Sequence, residues 1–148
     1  MTSLTRAPCT RKRLIERLEK QGFDASTAES ATDEMERVGY LDDRALGESV
    51  ARSVLRKGPA GERLLVERQV KRGISRALAQ EIARAALAET DPQAEADRAA
   101  SAKVRAMPGA LDETVVVRRV TSYLARRGVA PGVAHEAVRR AIRERDAS

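Results

Sequence analysis

Apolar residues recur along the chain at the spacing of one helix face, and three stretches repeat the same layout. In RLIERLEKQGFDAST, RLLVERQVKRGISRAL and RVTSYLARRGVAPGV, a basic, apolar-periodic run is followed by Gly, one apolar residue and an Ala-rich run. The glycines Gly22, Gly73 and Gly128 are 51 and 55 residues apart, room for about three helices per unit. Second helices are predicted after each Gly, with stripes such as Leu78, Ile82 and Ala86 or Val133, Ala137 and Ala141. Linking helices run through Leu46, Val50, Ala51, Val54 and Leu55, and through Ala96, Ala99, Ala100 and Val104. The valines at 115 to 117 continue into Val120 and Leu124 at helical spacing, so this run also reads as helix and no strand is predicted.

The ends of these helices are written in local chemistry. Each repeat Gly follows a run with Lys or Arg in its last turn, where Gly takes a left-handed conformation and cations face the negative end of the dipole. Phe23, Ile74 and Val129, next in the chain, are expected to pack back under the turn. Asp24 and Ser75 are good N-caps, Ser26 with Glu29 offers an alternative capping box, and Pro131 suits a first helical position. Asp42 or Asp43 caps the first linking helix, which KGPAG ends; Asp91 with Pro92 opens the second, which Met107, Pro108 and Gly109 end. The expectation is an all-α chain of about eight helices. It divides into a flexible segment 1–10, three-helix repeats at 11–58 and 59–108, and a truncated third repeat at 109–148.

Composition makes this core thin. Val, Leu, Ile and Phe supply 30 of 148 residues, about 20%, at the border of chains that stay disordered. Small Ala-rich faces are therefore expected instead of one bulky centre. The single Cys9 allows no intrachain disulfide or thiolate metal cage, and neither a long apolar window nor a signal-peptide centre is present. A cytosolic monomer without membrane contact is expected. With one His, no Trp and no glycine-rich phosphate loop, no constellation for nucleophilic, metal-assisted or nucleotide-driven catalysis can be assembled. No enzyme, cofactor or metal is expected.

Charge is segmented. The total is +6, with +4 over 1–22, −6 over 23–50, +6 over 51–76, −3 over 77–117 and +5 over 118–148. Relative to the repeat glycines, Lys20, Lys71 and Arg126 fall in register, as do Arg17 with Arg68 and Arg13 with Arg119. Such recurrence can build a basic stripe suited to a helical polyanion or an acidic groove. The candidate contact residues are Arg52, Arg56, Lys57, Arg63, Arg68, Lys71, Arg72, Arg118, Arg119, Arg126 and Arg127, against the ordinary reading of a solvated helix face. Asp42 and Asp43 read as caps, not as a catalytic pair, because adjacent residues at a helix start diverge. Tyr40 reads as a packed ring, His135 as a surface imidazole and Cys9 as an incidental thiol.

The segment GYLDDRALGESVARSVLRKGPAGERLLVERQVKRGI, residues 39 to 74, resembles the hallmark segment of the RecX family, regulators of the RecA recombinase. The likeness rests on Gly39, Tyr40, Leu41, Asp42 and Asp43, then Val50, Arg52 and Lys57, then Gly61, Arg63, Glu67, Lys71, Gly73 and Ile74. With the terminal YLARRGV it spans roughly residues 11 to 145. Three positions depart from the family pattern: Leu46 stands where an aromatic is usual, Gly47 where Ala is usual, and Gln69 where an apolar residue is common. Gly47 alone is expected to cost about 1 kcal/mol relative to Ala in a helix interior. The resemblance implies an elongated, curved array of three-helix modules lying in the groove of a RecA filament on single- or double-stranded DNA. There it would inhibit ATPase and strand exchange by occupancy. The alternative is a helical protein acting directly on duplex DNA; against it, the basic positions recur at first-helix ends instead of gathering at one recognition helix.

Overall fold

A computed structural model of the chain describes residues 10–37 and 42–148. Cys9, Tyr40 and the Gly39–Leu41 part of the family-like segment lie outside the described residues, as does the expected flexible segment apart from Thr10. Eight α-helices are described, and no strand: α1 (Arg11–Lys20), α2 (Ala25–Arg37), α3 (Asp43–Arg56), α4 (Glu62–Lys71), α5 (Arg76–Ala88), α6 (Pro92–Ala106), α7 (Glu113–Arg126) and α8 (Pro131–Ala147). The all-α tandem architecture expected from the sequence is the one observed.

Short polar side chains start most of these helices by accepting backbone N–H groups that have no intrahelical partner. Asp42 is the N-cap of α3, accepting from Ala45 N at 2.9 Å, while Asp43 takes the first helical position and accepts from Arg11 N at 3.2 Å. Ser75, Asp91 and Asp112 cap α5, α6 and α7. Asp24 accepts from Thr27 N at 2.7 Å ahead of α2. The repeat glycines end α1, α4 and α7 at φ of +101°, +94° and +80°.

The apolar stripes assemble into two buried clusters. One joins Val50, Ala51 and Val54 of α3 to Leu65 and Val66 of α4 and to Ile74, Ala79, Ile82 and Ala83. The other joins Ala96, Ala100 and Val104 of α6 to Val116, Val120 and Leu124 of α7 and five residues of α8. Each linking helix thus packs on the pair that follows it, so the packing unit is offset by one helix from the sequence repeat. Alanines at the contact let the helices approach closely, which is how a chain poor in large apolar groups still closes a core.

That offset explains one correction. Ile74 is 2% exposed and Val129 packs against its cluster, but Phe23 is 48% exposed. α3 covers the turn of α4–α5 and α6 supports that of α7–α8, whereas no linking helix covers α1–α2 among the described residues. Gly47 needs a second correction. A Cβ there would stand 2.6 Å from Ile82 Cδ1 and 2.8 Å from Gln69 Oε1, so the missing methyl is space that the fully buried Gln69 occupies.

Successive bundles meet at a recurring joint in which a first helix abuts, end to end, the first helix of the next repeat. Gly61, N-cap of α4, rests on Gly128 after α7: its N–H donates to Arg127 O at 2.8 Å, and a Cβ on Gly61 would overlap the Gly128 carbonyl. Thr10, N-cap of α1, rests on Gly73 after α4, where a Cβ would overlap its Oγ1, and Arg13 Nη2 donates to Lys71 O at 2.5 Å.

Candidate interaction surface

The eleven cations singled out from the sequence divide by what their side chains touch. Arg52, Arg56, Lys57, Arg68, Lys71, Arg72, Arg118, Arg119 and Arg126 are exposed, and their side chains have no hydrogen-bond or ion-pair partner among the described residues. Arg63 is exposed but pairs with Glu67 one turn on, at 3.0 Å. Arg127 does not belong with the others. Its guanidinium donates to Pro59 O and Val54 O at 2.8 Å and to Gly58 O at 3.1 Å, closing the C-terminal end of α3 against α7. It is a structural clamp, and the repeated Arg-Arg pair hid the difference because adjacent helical residues point about 100° apart.

Packing brings some of the free cations together and separates others. Arg56 and Lys57, at the end of α3, line a groove with Arg98 and Lys103 of α6 and Tyr123 of α7. Lys103 Nζ stands 4.3 Å above the Tyr123 ring, a cation–π contact that fixes both side chains. Arg119 and Arg126 lie four residues before and three after Tyr123, on the same helical face. Among the described residues the one acid in the groove, Glu95, is paired with Arg98, which leaves Arg56, Lys57 and Lys103 without an opposite charge among them. Part of their repulsion is relieved by the negative dipole end of α3.

A second basic surface lies on α4. Arg68 and Lys71 stand at i and i+3 on α4, with Arg72 next as its C-cap, along the edge of the face that buries Leu65, Val66 and Gln69, and Arg13 of α1 joins them through its bond to Lys71 O. Like charges at this spacing destabilise a helix slightly, so their clustering favours an external anion. Arg52 sits apart, beside α5 with Arg44, Glu48 and Glu89, and Arg118 faces outward from α7 with Thr114 and Thr121.

Lys103 and Arg98 were missed by the sequence reading. Both lie in the acidic stretch 77–117, so a segmental charge count conceals them, and only the contact of α6 with the end of α3 puts them in a basic groove. Three exposed cations with partners on other helices tie those helices together: Arg44–Glu81 at 2.8 Å, Arg84–Glu62 at 3.1 Å and Arg140–Asp97 at 2.6 Å. These pairs are accessible to water and screened by it, so each adds little to stability. Among the described residues no helix is long and apolar enough to cross a membrane.

No family model matches the chain, and no solved structure matches it. Curated relatives do. The chain is 31% identical to the regulatory protein RecX of Streptomyces coelicolor over 144 residues, covering 95% of this chain and 74% of the relative. It is 32% identical to the regulatory protein RecX of Mycolicibacterium smegmatis over 135 residues, covering 87% and 70%. The regulatory protein RecX of Amycolatopsis mediterranei is 28% identical over 138 residues, covering 91% and 76%.

Proposed function

Because the chain belongs to the RecX family of regulatory proteins, we propose that it regulates a RecA-type recombinase by lying along the groove of the recombinase filament on DNA. Occupancy there inhibits ATP hydrolysis and strand exchange, without chemistry by the chain's own side chains. The observation that carries this reading is the set of exposed cations without partners among the described residues, on an end-to-end series of first helices and in the groove beside Tyr123. A tandem array exposes more surface per residue than a globule, and an extended basic surface suits a repeating acidic groove or a phosphate backbone. Its place of action is the cytosol, where such filaments form.

The test is ATP turnover by recombinase filaments on single-stranded DNA with the protein added below stoichiometry. Hydrolysis is expected to fall, and capture on assembled filaments should exceed capture of free recombinase protomers. The double variant R68E/K71E should weaken capture while leaving helix content unchanged. Unchanged hydrolysis with folded protein at low salt overturns the proposal. Sequence-selective footprints on naked duplex DNA, independent of recombinase, would favour direct DNA binding instead.

A further inference from the structure

We propose that the two ends of the first-helix series are complementary halves of one more joint, so that a second copy of this chain docks head to tail. In both internal joints the N-terminus of one first helix meets the glycine turn that ends the next: Thr10 meets Gly73, and Gly61 meets Gly128. The meeting links groups that each helix leaves unpaired, since Gly61 N donates to Arg127 O and Arg13 donates to Lys71 O. It also sets the positive dipole end of one helix against the negative end of the other. The series therefore runs α7, α4, α1 and, among the described residues, has a free half at each extremity.

Both free halves are open. Gly22, at the end of α1, has the same left-handed backbone, at φ +101°, as Gly73 and Gly128, yet nothing described stands within 4 Å of a Cβ built on it. Beside it is Phe23, the exposed large apolar side chain among the described residues. At the other extremity the residue that corresponds to Thr10 and Gly61 is Asp112, the N-cap of α7, which is exposed, as are Pro108, Gly109 and Ala110 in the loop before it. Charge selects this pairing: Arg17 and Lys20 stand in the last turn of α1, and Asp112 and Glu113 open α7. A contact that joins unlike ends is heterologous and propagates into a linear chain instead of closing as a twofold dimer. It holds copies loosely in dilute solution and strengthens where they are crowded along one support.

The experiment needs no recombinase, so its outcome is separate from that of the proposed function. In a C9S background, Q21C and A110C proteins are mixed under mild oxidation, and sedimentation velocity of the parent is followed over rising concentration at low salt. The expected result is a mixed dimer from the two single variants, a ladder of multiples from the Q21C/A110C double variant, and a rising mean mass for the parent. F23D should remain folded, because Phe23 is half-exposed, and should weaken association about tenfold. Sedimentation as a monomer throughout, a predominance of like-with-like Q21C dimers, or association untouched by F23D each overturns the proposal.

Discussion

At the scale of single residues, two departures from the family pattern, Gly47 and Gln69, prove to be one packing arrangement. Gln69 Nε2 donates to Leu65 O at 3.1 Å and Ala79 O at 3.0 Å, which aims Oε1, buried and unpartnered, at the space over Gly47. Helix propensity alone would have G47A stabilise by about 1 kcal/mol. Here the added methyl meets a pinned amide, so G47A is expected to destabilise by about 1–2 kcal/mol in urea unfolding. In a Q69L background the same change should cost clearly less, because the Gln69 Oε1 contact is gone and the one that remains, Ile82 Cδ1 at 2.6 Å, is the far end of a flexible side chain. Additive effects in this cycle would show the two positions to be uncoupled. Asp43 offers a pH-dependent counterpart. Partial burial raises its pKa above the ordinary 3.8, against the opposing hydrogen bond from Arg11 N. A raised carboxylate pKa means stability that is present below the ordinary value and lost as pH rises through the folded one. D43N keeps the acceptor for Arg11 and removes the charge. Its stability should match the parent at low pH and exceed it at neutrality, with a constant offset across the range counting against burial as the cause.

At the scale of elements, the decisive feature is the junction where KGPAG passes the end of α7. Arg126 and Arg127 are indistinguishable by composition, yet one is exposed and unpaired while the other holds three carbonyls of the α3 terminus. Removing Arg127 leaves those carbonyls and the inter-bundle seam without their clamp. R127A should therefore cost about 1–3 kcal/mol in chemical denaturation, while R126A should stay within about 0.5 kcal/mol. If the proposed function holds, the ranking reverses for filament capture measured on folded protein. The repeat glycines have a similar double role. Gly73 and Gly128 supply a left-handed turn and also the bare backbone on which the neighbouring helix rests, so spacing in the sequence located the turns but not the joints.

At the scale of the whole molecule, the helices form a succession of bundles in which α3 seals α4–α5 and α6 seals α7–α8, while α1–α2 has no such cover among the described residues. A compact globule of 148 residues would have a radius of gyration of about 15 Å. Small-angle scattering is expected to give a clearly larger value, and a match to the compact one would contradict an extended array. The segmental charge found in the sequence survives at this scale in altered form. Arg56 and Lys57 from a basic stretch meet Lys103 from an acidic one across the groove, while Arg52 and Arg118, from basic stretches, stand away from it.

The eight helices, their caps and their glycine stops were legible from the residues because these depend on interactions within a turn or two. Apolar periodicity selects the buried face, Asp42, Ser75 and Asp91 answer nearby N–H groups, and Gly22, Gly73 and Gly128 take the left-handed turn with no side chain to oppose it. The family-like segment was legible for the same reason, as an ordered run of residues. Only tertiary packing decided that α3 seals α4–α5 and α6 seals α7–α8, that Phe23 is left uncovered, that Gln69 fills the place of a methyl at Gly47, and that Arg127 is a clamp beside a free Arg126. Those outcomes depend on which small apolar faces meet across tens of residues. Many weak contacts add up to decide them, and no local pattern encodes the sum.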